Sequence, residues 1–251
     1  MRYWGKNIQI DGSFYDTAQG RTLLSTPAEL ALLKAAGNYF QFEGNADFYE
    51  ATVQNMMRDI QGNPLGRILI NAIIRSNNTL RIIPLTLKEQ VLLGRSPCAN
   101  PVGGTYKPAG VDCVIWFEPW SRMLNHFSGM GISPYQMLVH ELQHALRQMR
   151  GKLFVSGPVG FGAFPNVEEL FSTTIENIYL SLAGQPQRML GSYSQVHPLG
   201  SRSDSDWFKQ YGNELSVWSN DLPDVSRLVE GLYCWNPFRV RRQVLDHVIA
   251  L

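Results

Sequence analysis

The sequence predicts an α+β fold, with a small sheet packed on one central helix and a mostly helical C-terminal part. Three observations carry this. Residues 80–84 (Leu-Arg-Ile-Ile-Pro) and 111–117 (Val-Asp-Cys-Val-Ile-Trp-Phe) have the β-branched and aromatic content of strands, and Pro119 suits the end of the second. Residues 134–150 carry both end signals of a long helix. Ser133-Pro134-Tyr135-Gln136 places an N-cap, a proline at the first helical position and a glutamine at the capping-box position, and Gly151 stands where a left-handed C-cap belongs. A third segment opens with Asn166-Val167-Glu168-Glu169, again a cap followed by an acidic first turn, and should end near Gly184.

The remaining elements follow in chain order. Residues 1–45 are rich in Gly, Asn, Asp and Thr and are expected to form a loosely ordered N-terminal segment ahead of a domain spanning 46–251. One short helix is expected within that segment from Pro27, preceded by Thr26. Phe48, Val53, Met56, Met57 and Ile60 recur at helical spacing, as do Leu65, Ile68, Leu69 and Ala72. Residues 95–110 hold three prolines and three glycines and read as loop, as do 190–212. Two or three short helices complete the chain.

Length and composition bound the function. A chain of 251 residues with 44% hydrophobic and 17% charged residues fits one soluble globular domain. A net charge of +1 argues against a whole-protein nucleic-acid or anionic-membrane surface. The Phe238-Arg239-Val240-Arg241-Arg242 run reads as a solvated helix face. No stretch approaches the ~20 apolar residues of a membrane span, and the first residues lack the apolar core of a signal peptide. Cys98, Cys113 and Cys234 are too few and scattered for a disulfide framework or a cysteine-based zinc module, so they read as reduced thiols.

The chemistry lies in His140-Glu141-Leu142-Gln143-His144. Four residues apart on a helix, the two imidazoles project from one face and can share a single zinc ion. Glu141 reaches a water beside the ion without itself being a ligand, as amide hydrolysis requires: the cation acidifies the water and polarises the carbonyl, and the carboxylate moves the proton. A catalytic zinc needs a third protein ligand. Glu168 and Glu169 open the next helix about 100° apart, so only one can face the ion. The capping-box position of Glu169 favours Glu168, with Glu169 as the alternative. His126, His197 and His247 have no comparable setting. The strand at 111–117 is read either as a sheet edge on which an extended peptide can add or as an ordinary core strand. Ser172 and Thr173 are candidates to hold an imidazole from behind.

The run from His140 to Leu146 with Gly151, then Glu168-Glu169-Leu170, resembles the gluzincin pattern of clostridial neurotoxin light chains. More widely, residues 46–195 are similar to type III effector metalloproteases of the NleD kind and related polymorphic-toxin peptidases, through Gly66-Arg67-Ile68-Leu69, the two strands, Thr174-Ile175-Glu176-Asn177, and Gly184, Pro186, Arg188 and Tyr193. The resemblance implies a zincin-like fold and a zinc endopeptidase with one Zn2+ on His140, His144 and Glu168 and with Glu141 as base. It also implies Arg188 and Tyr193 as donors to the developing oxyanion, though their spacing departs from the neurotoxin pattern. Such a protein is made in a bacterial cytoplasm without a cleavable signal, is secreted or injected, and cleaves a protein or peptide of a target cell. The alternatives are an antibacterial toxin acting on envelope peptides or proteins and a non-catalytic zinc-binding interaction protein.

Overall fold

The strands named above lie inside a larger sheet that begins at the first residues of the chain. The computed structural model describes residues 1–35, 42–120, 133–153, 158–159, 164–185, 188–192, 195–198 and 203–249. Their contacts divide into two units, one made of 1–60 and 73–151 and the other of 61–72 and 152–251.

In the first unit the strands are β1 (Arg2–Trp4), β2 (Ile8–Ile10), β3 (Leu80–Pro84), β4 (Cys98–Pro101) and β5 (Cys113–Phe117), in the spatial order β1-β2-β3-β5-β4. The sheet is mixed: β2 and β5 both run parallel to β3, while β1 and β4 pair antiparallel at the margins. Residues expected to be loose thus supply two strands, with Ile8 and Ile10 completely buried. Segments of three residues are too short to show a period in sequence, and only their pairing with β3 identifies them.

Between β1 and β2, Gly5 turns the chain at φ +65°. The Asn7 amide then donates to the carbonyls of Ile73 (2.9 Å) and Asn78 (2.7 Å), tying the start of β2 to the segment entering β3. Helices α1 (Ala18–Leu23) and α2 (Pro27–Ala35) follow, then α3 (Ala46–Gly62), whose Tyr49, Val53, Met56, Met57 and Ile60 are buried at the expected helical spacing. Glu50 of α3 accepts from the Gly12 N–H at 2.9 Å.

Along β5, Cys113, Ile115 and Phe117 are fully buried while Val114 and Trp116 are partly so, the two-residue alternation of a strand with unequal faces. α5 (Pro134–Met149) packs against β4 and β5. The sheet-on-helix arrangement read from the sequence is present, in an α+β fold.

The second unit contains α6 (Val167–Leu182), the hairpin β6 (Arg188–Ser192) and β7 (Gln195–Pro198), then α7 (Asp204–Asp221), α8 (Pro223–Glu230) and α9 (Pro237–Ile249), with most of α4 (Pro64–Ile74). The mostly helical C-terminal part is as expected; the hairpin and the first turns of α7 occupy a stretch expected to be loop. Its core is aromatic. Trp207 lies against Phe164 and Tyr211 and donates its Nε1–H to Thr174 Oγ1 at 3.1 Å, and Trp218 lies tilted against Phe238 with ring centroids 4.6 Å apart. No helix among the described residues is long and apolar enough to cross a membrane.

Candidate metal centre

The sequence signals at the ends of α5 are realised as bonds. Ser133 Oγ accepts from the Gln136 N–H at 3.2 Å and Gln136 Oε1 accepts from the Ser133 N–H at 3.5 Å, closing a capping box with Pro134 in the first turn. At the other end the Gln148 carbonyl accepts from the N–H groups of Gly151 (3.1 Å) and Val111 (3.3 Å), and the Met149 carbonyl accepts from Asn78 Nδ2 at 2.7 Å. The Tyr106 hydroxyl donates to the Gly151 carbonyl. Carbonyls that a helix leaves unpaired at its C-terminus are thereby met from β3's approach and from the loop after β4.

Every residue of α5 except Tyr135 is buried, so the helix has no solvent face on which to place its polar side chains. They gather on one arc instead. Taking about 100° per residue, Gln143, Gln136, Arg147, His140, His144, Gln148 and Glu141 span about 160° of the surface, with Leu138, Leu142, Ala145, Leu146 and Met149 on the remainder. Two imidazoles and a carboxylate thus share a buried polar stripe, a costly arrangement unless its members are engaged.

The His140 and His144 Nε2 atoms stand 3.1 Å apart, with ring centroids 4.8 Å apart. That is a ring-to-ring hydrogen-bond distance. It also fits two ligands of one tetrahedral ion, for which nitrogens at ~2.0–2.1 Å from the metal stand roughly 3.3 Å apart. His140, His144 and Glu169 form a group in which one ligand atom from each residue lies within 4.8 Å of the others, and this group could hold a metal ion. Glu141 is 1% exposed. Its negative charge helps to raise the thiol pKa values of Cys98 and Cys113, in both cases behind the larger effect of burial. All three cysteines are free, as expected.

The carboxylate grouped with the two imidazoles is Glu169, where the sequence favoured Glu168. Glu168 is favoured in the sequence because Glu169 stands at the capping-box position. The Glu169 N–H donates to Asn166 Oδ1 at 3.0 Å, and the Glu169 carboxylate groups with the histidines. Glu168 is itself buried, 2% exposed. Thr173 Oγ1 is buried and makes no hydrogen bond among the described residues, so it does not hold an imidazole.

The strand at 111–117 is interior to the sheet, because β4 pairs along its other side. Sequence reasoning missed β4, since Pro97 and Pro101 mark it as loop. The Val102 N–H bonds to the Asp112 carbonyl at 2.8 Å, and the antiparallel alternation then turns the main-chain groups of Ala99 and Pro101 away from β5. Pro101 has no N–H to offer, and the Ala99 carbonyl already accepts from Gln148 Nε2 at 2.8 Å. The outer rim of β4 is thus poorly equipped to pair with an extended peptide.

Arg188 lies in β6, with its side chain outside the described residues, and Tyr193 lies outside them altogether. His197 falls in β7 and His247 in α9, again without described side chains, and His126 is outside the described residues. No family model matches the chain, and neither the curated proteins nor the solved structures contain a match to it.

Proposed function

We propose that this chain is a zinc-dependent endopeptidase of zincin-like architecture, with His140, His144 and Glu169 as metal ligands and Glu141 as general base. The observation that carries the reading is the pair of imidazole nitrogens 3.1 Å apart with the Glu169 carboxylate in the same group. Two histidines and one carboxylate form a donor set used by catalytic zinc, which retains an open position for water or substrate. When bound, zinc supplies Lewis acidity toward a substrate carbonyl and toward the attacking water.

The protein's own part is positional. Spaced four apart on a helix capped at both ends, His140 and His144 keep their separation without rearrangement. Glu141, held on the same stripe, takes the proton from the attacking water on a carboxylate oxygen and returns it to the leaving amine. Burial excludes competing water and strengthens these electrostatic interactions. Of these residues His140, Glu141 and His144 are buried, His144 the least so at 7% exposed, while Glu169 is partly exposed. Arg188 and Tyr193 remain proposed oxyanion donors on the strength of the resemblance alone. The same resemblance supports a bacterial effector that is secreted or injected to cleave a target-cell protein, or an antibacterial toxin of the same chemistry.

The enclosure of the histidines favours a second reading, a non-catalytic protein that holds a metal for stability. Glu141→Ala separates the two. The peptidase reading expects that variant to keep its fold and one zinc per chain while new N-termini no longer form in a target-cell lysate. Identical cleavage by wild type and Glu141→Ala would remove the enzyme reading. Equal zinc in wild type and His144→Ala, by elemental analysis, would remove the metal centre.

A further inference from the structure

Gln143 is the exception among the buried glutamines. Four are buried in the described residues: Gln90, Gln136, Gln143 and Gln148. Gln90 donates to the Leu85 carbonyl, and Gln136 closes the cap of α5. Gln148 uses both ends of its amide, with Nε2 on the Ala99 carbonyl and Oε1 accepting from Cys113 Sγ at 3.3 Å. Gln143 is 0% exposed, and neither its Nε2 nor its Oε1 makes a hydrogen bond among the described residues. An amide stripped of water at both ends is unfavourable for folding, and such groups in native proteins call for an explanation.

The position of Gln143 suggests one. It follows His140 by three residues, so the two side chains are neighbours on the helix surface, about 5–6 Å apart at Cβ. Around the helix it lies about 60° to one side of His140, while Glu141 lies about 100° to the other. Anything bound at the imidazole pair therefore lies between the proposed base and an amide with both ends uncommitted. A primary amide offers a donor and an acceptor in one plane and carries no charge. That makes it complementary to another uncharged group with the same pair, namely a peptide unit.

We propose that Gln143 holds substrate, its Oε1 accepting from a main-chain N–H and its Nε2 donating to a main-chain carbonyl of the chain bound at the His140–His144 centre. This rests on the peptidase reading and deepens it. With the rim of β4 poorly equipped to pair, recognition of the substrate backbone falls to a side chain of the active helix itself.

Two measurements on the full-length zinc-loaded protein test the assignment. The first is the urea midpoint of Gln143→Met and Gln143→Leu. An amide that serves substrate rather than the fold is replaced by an apolar group of similar volume without loss, so midpoints equal to or above wild type are expected, with zinc content unchanged. A lower midpoint or failure to fold in both variants would make Gln143 a structural residue and overturn the proposal.

The second measurement compares binding of acetohydroxamate with that of N-acetylglycine hydroxamate, which adds a single peptide unit. Wild type should bind the longer probe about tenfold more tightly, the equivalent of one or two hydrogen bonds, and Gln143→Met should show no gain. The same gain in both proteins, or none in wild type, overturns the role of Gln143 while the centre stands. Failure of acetohydroxamate to bind either protein overturns the metal-centre reading, and this assignment with it.

Discussion

Replacing Gly151 by alanine tests whether the C-terminus of α5 is held as tightly as its contacts indicate. Gly151 has φ +66°, a conformation that costs an L-residue roughly 1–2 kcal/mol. An added Cβ would also fall 1.9 Å from the Pro108 carbonyl oxygen and 2.7 Å from the Gly110 nitrogen, both backbone atoms that cannot rotate aside. The loop must move by about 1 Å to admit it, and that loop carries the Tyr106 and Val111 bonds to the end of α5. Overpacking of this kind adds roughly 1–3 kcal/mol, for a total of about 2–5 kcal/mol.

Gly94 provides the control within the same unit. Its φ is +64° and nothing lies within 4 Å of its would-be Cβ, so Gly94→Ala should show the conformational cost of about 1–2 kcal/mol alone. Urea unfolding followed by circular dichroism measures both variants, and zinc titration of each reports whether the damage reaches the histidines. Gly151→Ala should also bind zinc more weakly. Equal midpoints for the two variants would refute the claim that the loop around Pro108 clamps the helix.

Three further outcomes are expected. Glu118 is buried, and that burial, with a smaller contribution from the charge of Glu43, holds its pKa well above the usual carboxylate range against the Trp120 N–H, which favours the ion. The folded protein therefore keeps a proton that the unfolded chain releases near pH 4, so this contribution to stability is complete below about pH 4 and fades as pH rises through the folded value. The stability of Glu118→Gln relative to wild type should climb by up to about 1.4 kcal/mol per pH unit over that window, and a pH-independent difference in urea midpoints would count against it. Asn166→Ala removes the cap of α6 and should cost about 0.5–2 kcal/mol; if Glu169 is a ligand, zinc affinity falls as well, and Asn166→Asp restores both. Leu142→Ala, completely buried on the apolar side of α5, should cost roughly 2–5 kcal/mol by thermal or urea unfolding while the variant retains its zinc.

Local chemistry made the two key helices legible in the chain itself. Ser133-Pro134-Tyr135-Gln136, Gly151 and Asn166 act on main-chain groups within a few residues of themselves, so their sequence spacing is already their geometry. The same is true of His140 and His144, whose common face follows from helical periodicity alone. Where the chain meets distant parts of itself, sequence was insufficient. β1, β2 and β4 are three or four residues long and are strands only by virtue of their neighbours, and β5 is interior only because β4 completes the sheet beyond it. Between Glu168 and Glu169 the order of residues offered two carboxylates in different directions. The Asn166 side chain caps the Glu169 main-chain N–H, and the Glu169 carboxylate groups with the imidazoles, which the sequence cannot decide because a helix fixes the angle between adjacent side chains but not which of them meets a partner.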